Sequence, residues 1–226
     1  MHSRDRLLTV ITPTIGRAGL ETLIESIAAQ SIAERICHIV LWDDFRAPEA
    51  RNPADYDASN RLSLVLGDGF GRNGDAPGSP LRAVGLMAAA TPWVMLADDD
   101  VVWSPTHAET MLRAGDGRNW ASCFRRIFSP AGEDLGIDQF ESVGDDPTRR
   151  VPYEMCDGNT LVFRREFGVA AAPLFRETML YDDDRRLYGF LKANAGPRGR
   201  TAIATIHQVC PERLTGFFTD NCTRTS

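Results

Sequence analysis

Two short acidic stretches hold the residues best suited to chemistry in this 226-residue sequence. The first, "PWVMLADDDVVW" at 92–103, ends an apolar run with Asp98, Asp99 and Asp100. Carboxylates rarely stand beside a core without a partner, and two at one strand end repel unless one is protonated or a cation lies between them. Alternation along a strand projects Asp98 and Asp100 to one side and Asp99 to the other. A divalent ion resolves the repulsion. All-oxygen ligation selects Mg²⁺ or Mn²⁺, and two carboxylates leave positions open for phosphate oxygens. The bland alternative is solvated charge that caps the next helix. The second stretch, "YDDDRRLYGFLKANAG" at 181–196, opens on Asp182, Asp183 and Asp184. A helix N-cap accounts for one of these three, not for all.

The surrounding pattern says what must position them. "LLTVI" at 7–11 reads as a buried strand, followed by the Pro- and Gly-bearing loop "TPTIGRAG". Leu20, Leu23, Ile24, Ile27 and Ala28 recur at helical spacing. "CHIVLW" is a second strand that runs into Asp43 and Asp44, and "RLSLVLG" a third, ending before a glycine-rich loop at 67–79. "PLRAVGLMAAA" is a helix with Pro80 in its first turn, and "PWVML" a fourth strand. Strands alternating with helices predict an α/β fold with a mainly parallel central sheet flanked by helices. In such sheets ligands bind beyond the carboxyl ends of the strands, which puts Asp43, Asp44 and the first triplet on one edge. Further on, "THAETMLRA" reads as a helix and "NWASCFRRIF" as a strand, and residues 129–152 form a long polar loop. "NTLVFRREF" is a strand entering a helix, 182–195 a helix stopping at Gly196, and "TAIATIHQV" a last strand carrying His207.

Composition bounds the rest. With 43% hydrophobic and 25% charged residues the chain is an ordinary soluble globular protein, and its length suits one large domain. A single domain over 1–226 is expected, with a nucleotide-binding half to about 103, an acceptor-side half over about 104–210, and a short tail at 211–226. A net charge of −6 argues against nucleic acid as a partner. Lys192 is the only lysine, so the other 24 basic residues are arginine, whose fork suits anionic ligands. Five cysteines without CxxC spacing indicate neither a disulfide framework nor a zinc site. No signal peptide and no apolar run of about 18 residues is present, which predicts a cytoplasmic location without a transmembrane segment.

The ordered motifs resemble those of GT-A-fold glycosyltransferases, closest to the family 2 type. "VITPTIGRAGLETLIESIAAQS" is similar to that family's opening strand, loop and helix, "IVLWDD" to its second strand, and "GSPLRAVGLMAAATPWVMLADDDVV" to its helix and DxD motif. "DGNTLVFRREF" and "YDDDRRLYGFLKANAG" resemble its acceptor-side segments, so the likeness covers roughly 7–208. The resemblance implies a GT-A domain that moves a sugar from a nucleotide-diphosphate donor to an acceptor hydroxyl with a divalent cation, Mn²⁺ or Mg²⁺. Thr12, Pro13 and one of Asp43 or Asp44 would border the nucleotide. Asp98 would face the ribose or donor sugar, Asp100 would hold the metal, and Asp99 would be structural beside them. Arg17 and Arg82 would assist at the diphosphate or serve only as salt-bridge partners. His207 would complete the metal shell, as a late histidine does in some GT-A enzymes, or be a satisfied histidine in an apolar strand. Asp183, with Asp182 as the alternative, would be the catalytic base of an inverting mechanism. Asp157, Gly158 and Asn159 would touch the acceptor, a small molecule, peptide or glycan. A homo-oligomer is compatible with the sequence.

The pattern departs from the family in two places. Ala97 stands where "LDxDD" would have its first aspartate, and "DDD" replaces the usual Glu-Asp, so the register of each triplet stays open. Two other readings compete. "VMLADDDVV" also fits the nucleophile motif of haloacid dehalogenase-type phosphatases, with Asp98 attacking phosphate, although the motif lies mid-chain and Lys192 follows the second acidic cluster. A non-catalytic, nucleotide-binding GT-A-like domain is the third.

Overall fold

The computed structural model describes residues 5–43, 52–67, 78–147, 153–175 and 182–223. Its order is β1 (Leu8–Thr14), α1 (Gly19–Ala28), β2 (Ile36–Asp43), β3 (Arg61–Leu66), α2 (Ser79–Ala88), β4 (Trp93–Leu96), β5 (Val101–Trp103), α3 (His107–Ala114), β6 (Trp120–Phe128) and β7 (Asp134–Asp138). Then come β8 (Leu161–Arg164), α4 (Arg165–Ala171), α5 (Asp183–Asn194), β9 (Gly199–Val209), α6 (Thr215–Asn221) and β10 (Cys222–Thr223).

These strands form one sheet ordered β10-β7-β6-β8-β4-β1-β2-β3, with β9 beside β6 and β5 beside β9. The four strands β3, β2, β1 and β4 are mutually parallel. From β8 onward the pairing is antiparallel except for β6 with β9. The expected parallel sheet is thus confined to these four strands, and an antiparallel half extends it.

Apolar clusters explain why β1, β2 and β4 read as unbroken hydrophobic runs, since each of these strands is covered on both faces. Along β1, Leu8 and Val10 pack with Leu23 and Ile27 of α1 and Met111 of α3. Ile11, of opposite parity, packs with Leu81 and Leu86 of α2. On β4, Trp93 and Met95 join the first cluster and Val94 and Leu96 the second. This double coverage fixes register, because a one-residue slip would exchange the faces.

Three sequence expectations need amendment. The polar stretch at 129–152 contains β7, whose Leu135 is buried; flanking Gly and Asp hid a strand of only five residues. The short strand β5 follows the first triplet directly and pairs antiparallel with β9, so the aspartates occupy the tight link between β4 and β5. The tail is not an appendage: β10 pairs with β7, and Phe218 of α6 is buried against Ile127 and Leu135. Among the described residues no helix is long and apolar enough to cross a membrane.

Candidate active site

Beyond the carboxyl ends of β1, β2 and β4 lies a cavity of about 340 Å³. Pro13 and Thr14 enter from β1, Arg17 from the loop after it, Asp43 from the end of β2, Leu81 and Arg82 from α2, and Asp98 to Asp100 from the end of β4. Gly19 lets α1 begin against this edge, because a Cβ there would collide with the Asp99 carbonyl oxygen. Asp43 is buried at the strand end, as expected; Asp44 lies outside the described residues. Thr12 does not reach the cavity. It sits two residues short of the strand end, fully buried, with its hydroxyl 2.9 Å from His38 Nε2. Thr14 takes the place expected for it.

The triplet lies in the turn that joins β4 to β5, and its members divide. Asp99 also lines the cavity but is the most buried of the three; it accepts from the Thr14 hydroxyl at 2.6 Å and pairs with Arg17 at 3.5 Å. Burial raises its carboxyl, and Thr14 and Arg17 offset that only in part. Asp98 is held on both oxygens, by Arg82 on Oδ1 and by Asn159 Nδ2 at 3.1 Å on Oδ2. Its own backbone N–H donates to Asn159 Oδ1 at 2.6 Å. Burial alone would push Asp98 up, but Arg82 and these hydrogen bonds prevail and hold it below the usual carboxylate range. Asp100 is exposed and receives one bond from Gln208 Nε2 at 3.3 Å. Burial of its surroundings and the neighbouring Asp98 charge push it up to about 6. The positive charge that Asp98 and Asp99 hold is therefore arginine, and among the described residues Asp100 is the member of the triplet with no arginine partner.

The second triplet faces the same place from α5. Asp183 is buried, and its Oδ2 lies 3.8 Å from Arg82 Nη1. Asp182 lies outside the cluster, paired with Arg186 at 3.3 Å on the outer side of the helix. Asp184, beyond the two positions expected for the base, stands beside Gly158 and close to Asp157, Arg82 and Asp98. Burial drives its carboxyl well above the ordinary value, Asp157 adds to the rise, and Arg82 opposes it. Gly158 makes room for it, since a Cβ at that position would stand 2.6 Å from Asp184 Oδ1. Asp157 caps the turn at Gly158–Thr160 by accepting from the Asn159 N–H at 2.9 Å. Asp157, Gly158 and Asn159 thus join the two triplets.

His207 does not join them. On β9 it lies opposite Val102 and beside Arg126, with its ring 5.6 Å from that of Phe128. Burial and Arg126 lower its pKa. Alternation along β9 gives the cleft to Gln208 instead. Among the described residues no group of three His, Cys, Asp or Glu side chains is arranged to hold a metal. The oxygens present fit a hard cation that arrives with its own phosphate ligands and takes one protein carboxylate, Asp100, not a preassembled protein cage. The phosphatase reading gains no support: Lys192 pairs with Glu154, and both Asp98 oxygens are engaged.

A signal for Asp184 was present. Asp183 and Asp184 precede Leu187 by four and three residues, the spacing of one helix face, and Leu187 is fully buried. No comparable pattern marks Arg125 or Gln208. No protein-family model and no curated protein matches the sequence. Among solved structures, S. aureus TarS matches over 90% of this chain and 37% of its own, at 15% identity and a TM-score of 0.63. The TarS 1-349 fragment in complex with UDP-GlcNAc matches over 91% of this chain and 59% of its own, at 16% identity and a TM-score of 0.66. The fragment in complex with UDP matches over 90% and 60%, at 14% identity and 0.61. The chain spans well under two thirds of each of these proteins, and what the likeness establishes is the architecture: this chain has the fold of the GT-A glycosyltransferases.

Proposed function

We propose that this chain transfers a sugar from a nucleoside-diphosphate donor to an acceptor hydroxyl, with inversion, and that Asp184 is the base. The observation that carries the reading is the convergence of both acidic triplets on Arg82, which pairs with Asp98 and faces Asp183 and Asp184. A guanidinium between a DxD-type carboxylate and a candidate base suits a reaction in which negative charge gathers on a departing diphosphate. The TarS complexes with UDP-GlcNAc and UDP favour a uridine diphosphate donor.

The roles follow from the side chains. Asp43, Pro13 and Thr14 border the nucleotide, with the Asp43 carboxylate accepting from base or ribose. Burial works against the Arg82 charge, but the surrounding aspartates outweigh it and keep the guanidinium protonated, so it stays cationic beside the leaving group. Asp184 accepts the acceptor O–H proton as that oxygen bonds to the anomeric carbon and the bond to the diphosphate breaks. A carboxyl raised toward the working pH suits a general base. Asp100 holds the divalent cation, and that ion when bound neutralises charge on the diphosphate.

The test is a panel of UDP-, GDP-, dTDP- and ADP-sugars with Mn²⁺ or Mg²⁺, scored for nucleotide release, alongside thermal shift with each free diphosphate. Release from at least one donor, with a melting temperature raised by its diphosphate, is the expected result. No release and no shift with any of them would sink the proposal, and phosphatase turnover without either would point to the competing class.

A further inference from the structure

One arginine used by none of these roles reaches both cleft-facing members of the first triplet. Arg125, in β6, is buried, and its side chain is 3% exposed. Its Nε donates to Asp138 at 2.8 Å, Nη2 to Glu141, and Nη1 both to Asp157 and to Gln208 Oε1 at 2.7 Å. β6 changes register against β9 on either side of Phe124. Such an irregularity re-aims side chains, and here Arg125 points inward while Arg126 pairs outward with Asp134.

From this centre two arms run to the β4–β5 link. One passes through Asp157 to Asn159, whose Nδ2 donates to Asp157 Oδ1 at 2.7 Å and to Asp98 Oδ2 at 3.1 Å. The other passes through Gln208, which accepts from Arg125 and donates to Asp100 at 3.3 Å. Asp138, the counter-anchor, is fixed by the N–H groups of Phe140 at 2.7 Å and Glu141 at 3.1 Å. The guanidinium fork is rigid and planar, so one buried group sets where both amide side chains stand. We infer that Arg125 is a positioning residue that, through Asn159 and Gln208, fixes the spacing of Asp98 and Asp100 and so the seat of the donor diphosphate and its cation.

This inference rests on the glycosyltransferase reading, and its test separates the two. The protein is assayed for UDP affinity by calorimetry with and without Mn²⁺, and for kcat of hydrolysis of the UDP-sugar it turns over fastest. Arg125→Lys keeps the positive charge but loses the fork, Gln208→Leu cuts one arm, and Arg126→Met is the control on the opposite face. Arg125→Lys should bind UDP alone within twofold of wild type, lose most of the Mn²⁺-dependent gain, and fall about a hundredfold in kcat, the scale of a misplacement near 1 Å. Gln208→Leu should lose about tenfold in the Mn²⁺ gain with its melting temperature little changed, and Arg126→Met should match wild type. A purely electrostatic or structural role would be rescued by lysine. Wild-type levels of both readouts in Arg125→Lys and Gln208→Leu would overturn the inference, as would equal losses in Arg126→Met. If Arg125→Lys does not fold, Gln208→Leu decides alone. A wild-type protein that neither binds any of the four nucleoside diphosphates nor releases one from any donor of the panel overturns the glycosyltransferase reading and this inference with it.

Discussion

The same three letters, Asp-Asp-Asp, occur twice and fold into different chemistry. At 98–100 the triplet forms the turn after a strand: Asp98 pairs with Arg82, Asp100 is exposed, and Asp99 is buried against Thr14 and Arg17. At 182–184 it opens a helix, where successive side chains fan out by about 100°. Asp182 faces outward to Arg186, Asp183 lies beside Arg82, and Asp184 stands near Asp157 and Arg82. A strand end therefore delivers a pair of carboxylates with a strut between them, while a helix start delivers one at a time. With Asp98 held by Arg82, Asp100 is the member of that pair suited to a cation, and a single carboxylate raised by burial suits a proton.

Substitution at Asp184 tests that contrast most severely. Asp184→Asn should lower transfer by about 10² to 10⁴, the range of general acid–base catalysis, while UDP affinity by calorimetry stays within twofold. It should also stabilise the protein. Burial, then Asp157, makes the folded chain bind this proton more tightly than the unfolded chain does. Stability is then lost as pH rises from the unfolded value, about 4, through the raised one. The variant has no proton to lose, so its melting temperature should exceed wild type at pH 8, and the gap should close as pH falls toward 4. A variant less stable than wild type at pH 8 would contradict this placement.

Within the first triplet, the cleft-facing and buried members should separate by readout. Asp100→Asn should abolish the Mn²⁺-dependent part of UDP binding, about tenfold to a hundredfold, with small change in stability. Asp99→Asn should do the reverse. It weakens a buried charge-assisted bond, at about 1–3 kcal/mol in urea denaturation, and should leave most of the Mn²⁺ gain in place. Identical profiles for the two variants would mean that the turn does not divide their work.

The sequence made the parallel half legible because Leu8, Val10 and Ile11, or Val94 and Met95, are apolar on both faces of short β-branched runs, and because Asp43 and Asp98 to Asp100 end such runs. The antiparallel half was harder. β5 and β7 have three and five residues, too few for a period to emerge, and each exists through its partner strand. Arg125 was invisible for a related reason: its acceptors come from positions 138, 141, 157 and 208, a set that only the fold assembles. Thr12 and His207 were each assigned to the cleft from a neighbour's place. Thr14 and Gln208, two residues and one residue away, hold those places, and a one-residue step along β9 exchanges sheet faces.

The smallest effect belongs to Asp182, and it is informative because the residue sits one position from a buried carboxylate. Its partner Arg186 is four residues along the same helix, and both side chains are about a third exposed. Exposed pairs at this spacing contribute about 0.3–0.5 kcal/mol and are screened by salt. Asp182→Ala should therefore shift the urea midpoint slightly, lose even that shift in 1 M NaCl, and transfer sugar within twofold of wild type. A large loss of transfer would mean that α5 starts one residue earlier than its hydrogen bonds indicate. Every side chain would then rotate by about 100°, Asp183 would stand where Asp184 does, and the contrast between strand end and helix start would need the other register.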